Sequence, residues 1–149
     1  MALLARAPLP LLEQTLSERA STAPVWLRRP ETGLFMVQGR IGGTGARFNV
    51  GEVTVTRCAL RLRSDLAPMG VAYVMGRSHR HAHLAAIADA LLQMDQERAF
   101  VQKELLDPVA DLVAQEKARV QGKAQATRVN FFTVAREAGD SGAAGEELE

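Results

Sequence analysis

From Gly51 to Arg63 the chain alternates without interruption, and this stretch restricts the fold more than any other. Successive side chains of an extended strand point to opposite faces, so Thr54, Thr56, Cys58, Leu60 and Leu62 share one face and Val53, Val55, Arg57, Ala59, Arg61 and Arg63 share the other. The first face reads as core; the second turns basic. A sheet covered by helices on one side meets both demands.

The flanking segments fill in that sheet. Ala23–Arg29 and Leu34–Gln38 read as the two arms of a hairpin turning at Pro30-Glu31-Thr32-Gly33, because proline presets φ and glycine permits the exit. Leu34-Phe35-Met36-Val37 is apolar on both faces, which calls for burial between two layers or against another chain. Three glycines among Gly42-Gly43-Thr44-Gly45 predict an irregular loop running on to Asn49. After a turn at Ser64–Pro68, Gly70–Met75 is a further strand, so Ala23–Gly76 reads as an antiparallel meander.

Helices are predicted over residues 9–20, from a Ser78 cap to about residue 94, over 97–106, and from Pro108 to about Gln121. In the last, Asp107 is placed as N-cap and Leu112, Val113 and Val120 face inward. Residues 122–127 are small and polar, and Arg128–Val134 is β-prone, a strand or an extended arm docked on a partner. The fold class is therefore α+β: an antiparallel β-meander sheet with helices packed on one face, plus a C-terminal strand or docked arm. A single domain is expected over 1–136, with a disordered acidic tail over 137–149.

A hydrophobic content of 47% with 23% charged residues excludes wholesale disorder, collagen and coiled coil. No apolar run approaches the ~18 residues of a membrane span, and Pro8 and Pro10 interrupt the short apolar N-terminus, so a cytoplasmic protein without membrane contact is expected. The lone Cys58 rules out an intrachain disulfide or an all-cysteine metal site. The net charge of +1 conceals an asymmetry: five of the seventeen acidic residues and none of the eighteen basic ones lie in 137–149, leaving a body of +6, mostly arginine. Arginine suits phosphate and carboxylate oxygens, although a solvated surface produces the same composition. With only 5% aromatics and no base-reading motif, nucleic acid is not expected as a partner.

Several residues are candidates for chemistry. Gly42, Gly43 and Gly45 with Thr44 and Arg47 can cradle a phosphate or can simply form a tight inter-strand loop; neither the P-loop nor the dinucleotide spacing is present. His79 and His83 are spaced to share a metal, but no third ligand completes a site, so no metal is expected. His81 lies on the apolar stripe with Leu84, Ala85 and Ala88, where a hydrogen-bonded core histidine is the common case. Mid-strand Arg57 requires an anion, either Glu52 within the chain or a ligand phosphate or partner carboxylate. Cys58 reads as a small buried hydrophobe.

Pro30-Glu31-Thr32-Gly33-Leu34, Gly39-Arg40-Ile41-Gly42-Gly43-Thr44-Gly45-Ala46-Arg47-Phe48-Asn49 and Thr54-Val55-Thr56-Arg57-Cys58-Ala59-Leu60-Arg61-Leu62 together resemble the PhnG family of the bacterial carbon-phosphorus lyase system. Ala72-Tyr73-Val74-Met75-Gly76-Arg77, His81-Ala82, Asp89-Ala90-Leu91-Leu92-Gln93 and Arg128-Val129-Asn130-Phe131-Phe132-Thr133 continue the resemblance in order, over roughly residues 10–136. The family often carries Glu at the position of His83 and Asp at that of Asn130, which leaves the roles of these two residues open.

The resemblance implies a subunit of a hetero-oligomer with PhnI, PhnH, PhnJ, PhnK and PhnL. With PhnI, PhnH and PhnL the family takes part in making α-D-ribose 1-methylphosphonate 5-triphosphate from ATP and methylphosphonate, with release of adenine. In that scheme the displacement is attributed to PhnI, so this chain is not expected to be catalytic alone. ATP is a substrate of the complex, while the iron-sulfur cluster and S-adenosylmethionine belong to a partner subunit, PhnJ. Set beside this implied role, Gly42, Gly43, Thr44, Gly45, Arg47, Glu52, Arg57, Arg77, His81, Arg128 and Phe131 are the expected ligand- or partner-binding residues, with PhnI the most direct partner. A free-standing phosphate- or nucleotide-binding module and a purely structural scaffold remain the alternatives.

Overall fold

The computed structural model describes residues 1–20, 23–62 and 68–127. All of the turn expected over Ser64–Pro68 except Pro68 lies outside them, as do the strand or arm over 128–134 and the acidic tail. A 3-10 turn at Leu4–Arg6 leads into helix α1 (Leu9–Ala20); strands β1 (Val25–Arg40), β2 (Arg47–Arg61) and β3 (Met69–Met75) follow, then helices α2 (His79–Leu91), α3 (Asp95–Val101) and α4 (Asp107–Ala126). The strands form one open antiparallel sheet in the order β1-β2-β3, so the α+β class holds.

The alternation of the long strand holds at its inner end, but the strand begins at Arg47 and ends at Arg61, so Arg47, Phe48 and Asn49, expected in the loop, pair with β1 instead. Thr56, Cys58 and Leu60 are buried with Ala72 and Val74 of β3 against α2, whose Ala82–Ala88 run is almost wholly enclosed. Leu4, Leu12 and Leu16 close the far side of α2, joined by Val101, Leu105 and Val109 from the α3–α4 rod. Gly70 permits the closest approach of strand and helix: an added Cβ would lie 1.8 Å from the Ala86 carbonyl oxygen and 3.0 Å from Ala90 Cβ. The outer edge of β3 is covered by side chains of α2 and of the turn that follows it, Asp89 Oδ2 accepting from Val71 N at 3.0 Å and Gln93 Nε2 donating to Met69 O at 2.8 Å. An edge satisfied in this way is a poor template for further strand pairing.

Three expectations are corrected. No hairpin turns at Pro30–Gly33: β1 runs straight through, and the register shifts around Arg28 and Glu31 absorb the proline. Proline is tolerated there because β1 is an edge strand with irregular pairing at that point. Asp107 is not an N-cap; it continues a helical rod whose preceding turn, Gln102–Leu106, widens to π geometry, with Asp107 N bonding back to Gln102 O. That wider turn accommodates Pro108, which lacks an N–H. Finally, α4 extends to Ala126 through the small polar residues, and of its expected inward stripe Val113 packs against the core as read while Leu112 and Val120 are exposed, the fully buried position being Val109.

Candidate functional site

The sheet divides into a body and an arm. β3 stops at Met75 opposite Val55, and Gly76 N donates to Thr54 O at 2.9 Å. Beyond that point β1 and β2 continue as a two-stranded ribbon, Leu34↔Thr54 out to Arg40↔Arg47, about 23 Å long at ~3.3 Å per residue. Directly paired residues share a face, so Leu34 and Met36 lie on the helix side of the ribbon and Phe35, Val37 and Phe48 on the other. Val50 is the extra residue of a bulge, lying across Gly39, where an added Cβ would come 2.7 Å from its Cγ2. Both faces are bare: Leu34 is 68% exposed, Phe35 59%, Val50 62% and Ile41, at the tip, 78%. The segment expected to be buried between layers or against another chain is thus not covered by the described residues of this one. The same outer face continues onto the body through Met75 and Tyr73, both exposed.

The glycine loop is the tip of this arm. Ile41–Gly43 make a 3-10 turn closed by Thr44 N donating to Ile41 O, an acceptor that Gly45 N shares at 3.3 Å, and Gly42 (φ 60) and Gly43 (φ 79) take backbone angles that residues with a Cβ avoid. The Thr44 and Gly45 amides are both spent on that carbonyl. Arg47 starts β2 and Arg57 lies on the body, about 30 Å further along the strand at ~3.3 Å per residue, so no single phosphate can engage the loop and Arg57 together.

The anion at Arg57 is Glu31, its directly paired neighbour, at 2.6 Å, and Arg28 bonds the same carboxylate oxygen. Glu52, by contrast, stands opposite Met36 out on the arm. The hydrogen bonds from Arg28, then Arg57, hold Glu31 below the usual carboxylate range. The cluster is exposed, so it directs charge on the open face more than it stabilises the fold.

The three histidines occupy three separate environments. His81 Nε2 donates to the Leu4 carbonyl at 2.9 Å and fastens the N-terminal turn to α2. His83 packs its ring on Trp26, centroids 4.8 Å apart, with Nε2 buried and no hydrogen-bond partner among the described residues. Burial first, and the Arg80 charge second, lower its pKa. His79, the first residue of α2, bonds through Nε2 to Thr32 Oγ1 at 3.0 Å; Thr32 in turn meets Thr56 Oγ1 at 3.1 Å, and Thr56 donates to Gly76 O at 2.7 Å. Arg77 is exposed beside the Ser78 cap, whose Oγ accepts from His81 N. Arg128 and Phe131 lie outside the described residues.

Sequence reasoning missed the Thr32–Thr56–His79 chain and the edge-covering Asp89 and Gln93. Both depend on which helix residue meets which strand; Asp89 and Gln93 fall in one of the blocks that carried the resemblance, and this was the available signal. Among the described residues, no helix is long and apolar enough to cross a membrane.

A protein-family model described as phosphonate metabolism protein PhnG matches residues 1–137. The alpha-D-ribose 1-methylphosphonate 5-triphosphate synthase subunit PhnG of Rhizobium meliloti (strain 1021) is 43% identical over 139 residues, covering 91% of this chain and 86% of that protein. A match over nearly the whole chain, on a fold whose arm is left bare by its own described residues, has one consequence for its identity: the chain belongs to the PhnG family.

Proposed function

We propose that this chain is a subunit of an α-D-ribose 1-methylphosphonate 5-triphosphate synthase of phosphonate breakdown, working in a hetero-oligomer with PhnI, PhnH and PhnL, and that it docks through the β1–β2 arm and the adjoining open sheet face. Family membership and the name of the Rhizobium relative support the reaction. The observation that carries the docking mode is the arm itself, where Leu34, Phe35, Ile41 and Val50 are bare on a ribbon two strands wide. An isolated two-stranded ribbon is marginally stable in water, and a contiguous apolar surface of this kind marks an interaction site.

In this account PhnI is the subunit seated on the arm, and PhnJ and PhnK join the larger assembly. ATP is a substrate of the complex, while the iron-sulfur cluster and S-adenosylmethionine belong to PhnJ. The chain contributes binding and orientation, with no displacement chemistry of its own. A free-standing phosphate site built jointly from the glycine loop and Arg57 is disfavoured by the length of β2 between them.

Co-expression with PhnI, PhnH and PhnL, followed by size-exclusion chromatography and an adenine-release assay with ATP and methylphosphonate, tests the proposal. A stable complex whose turnover requires the chain is expected. A chain that elutes alone, with turnover indifferent to it, refutes the proposal.

A further inference from the structure

We infer that a threonine relay fixes the tautomer of His79, and that the free Nδ1 of this ring is a specificity-determining hydrogen-bond acceptor for an N–H or O–H donor of the partner subunit covering the root of the arm. The inference rests on the subunit reading above. It begins from the direction of the relay.

A carbonyl oxygen can only accept, so Thr56 spends its one hydroxyl hydrogen on Gly76 O. Thr56 Oγ1 must then accept from Thr32, whose single hydrogen is consumed in turn. Thr32 Oγ1 is left as an acceptor, and the His79 nitrogen facing it, Nε2, has to carry a proton. In the neutral ring the proton is therefore on Nε2 and the lone pair on Nδ1. The geometry of the imidazole directs Nδ1 away from the relay, and it has no hydrogen-bond partner among the described residues. Thr56 is fully buried, so the inner end of the chain is held in the core.

Position gives this acceptor its role. On the helix side of the sheet, Thr32 and Thr56 form the pair at the first turn of α2, and the next pairs outward on that face are Leu34↔Thr54 and Met36↔Glu52. Leu34 and Met36 are exposed. The ribbon is thus an apolar ledge, and His79 stands at its inner end. A partner segment lying along the ledge is held loosely by Leu34 and Met36, since apolar contacts are non-directional. Where it reaches α2 it meets an acceptor of fixed position. A segment that brings a donor gains a directional bond; one that brings a carbonyl or an apolar group leaves Nδ1 desolvated and unpaired, which disfavours it.

The test separates the two nitrogens. In the free chain, 15N spectroscopy of the histidine rings is expected to show the Nε2-protonated tautomer for His79, and Thr32→Val is expected to release it to a mixture. In the reconstituted complex, His79→Gln keeps a donor where Nε2 was but offers no acceptor at Nδ1, whereas His79→Asn places its amide oxygen near the Nδ1 position and gives up the bond to Thr32. With both variants melting like wild type, His79→Gln is expected to weaken binding to the partner subunits about tenfold and His79→Asn by less than about threefold. Equal binding by all three chains, equal losses in both variants, or an Nδ1-protonated ring in the wild-type free chain overturns the inference. Failure of the wild-type chain to bind any partner overturns the subunit reading and this inference with it, while binding that His79→Gln leaves intact overturns the inference alone.

Discussion

Replacing Gly70 by alanine tests how the sheet and α2 are joined. The added Cβ would lie 1.8 Å from Ala86 O, 2.9 Å from Ala86 C and 3.0 Å from Ala90 Cβ. A carbon needs about 3.2 Å from a carbonyl oxygen, so strand and helix must separate by about 1.4 Å at this point. The obstacle is mid-helix backbone, and α2 is enclosed from Ala82 to Ala88, so neither a rotamer change nor a local tilt relieves it. Overpacking costs about 1–3 kcal/mol, and a backbone obstacle in a closed core belongs at the top of that range. About 3 kcal/mol corresponds to a Tm lowered by about 6–12 °C in a chain of this size, and to a urea midpoint lowered by about 1.5 M for an m-value of about 2 kcal/mol/M. Gly51→Ala is the control, because an added Cβ there meets nothing within 4 Å; its midpoint is expected to stay within about 0.3 M of wild type. Urea denaturation followed by far-ultraviolet circular dichroism reads both. A Gly70→Ala midpoint that matches the Gly51→Ala control would refute the close-packed joint.

Thr56→Val preserves shape but strips the Gly76 carbonyl of its donor and Thr32 of its acceptor, and it is expected to cost about 1–3 kcal/mol in the same denaturation assay; a loss below about 0.5 kcal/mol would show the relay to be loose. Burial pushes the Cys58 thiol up to about 11, so a disulfide reagent at neutral pH should leave the native chain unmodified and label it promptly in denaturant; fast labelling of the folded chain would contradict its burial. For His83 the folded pKa lies below the ordinary 6.5, through burial and then Arg80. Stability is therefore indifferent to this ring above pH 6.5 and falls as the pH drops below it, because the unfolded chain takes up the proton first. Urea midpoints across that range should fall less steeply for His83→Leu than for wild type, and superposable curves would show that the ring does not carry the effect.

What the sequence made legible, and what it did not, follows from the range of the interactions. The Thr56, Cys58 and Leu60 face was readable because a strand reports its burial with a period of two, and the Ser78 cap because it acts within a single turn. Pro30–Gly33 carries every local mark of a turn, yet whether it bends depends on whether β2 pairs alongside it, and the bulges at Arg28 and Glu31 let it run straight. Asp107-Pro108 looks like a helix start in the same way; the π turn before it answers to the packing of Val101, Leu105 and Val109 in one core. At the candidate site, the bare arm was visible as Leu34-Phe35-Met36-Val37, apolar on both faces. The relay was not visible, since Thr32 and His79 are 47 residues apart and meet only once α2 lies on the sheet. Arg57 drew notice as a mid-strand charge, but its partner Glu31 was hidden by a hairpin that does not form.

The central claim, that the arm is the surface by which this subunit enters its complex, is tested most directly by backbone hydrogen exchange of the chain alone and bound to PhnI. Free, residues 34–54 should exchange fast, as expected of a ribbon two strands wide with bare faces. On binding they should become protected, together with the root of the arm around Thr56, Met75 and His79, while the buried stretch of α2 from Leu84 to Leu91 is unchanged. Complex formation with the arm still exchanging freely, and protection appearing on α1 or α4 instead, would contradict the account.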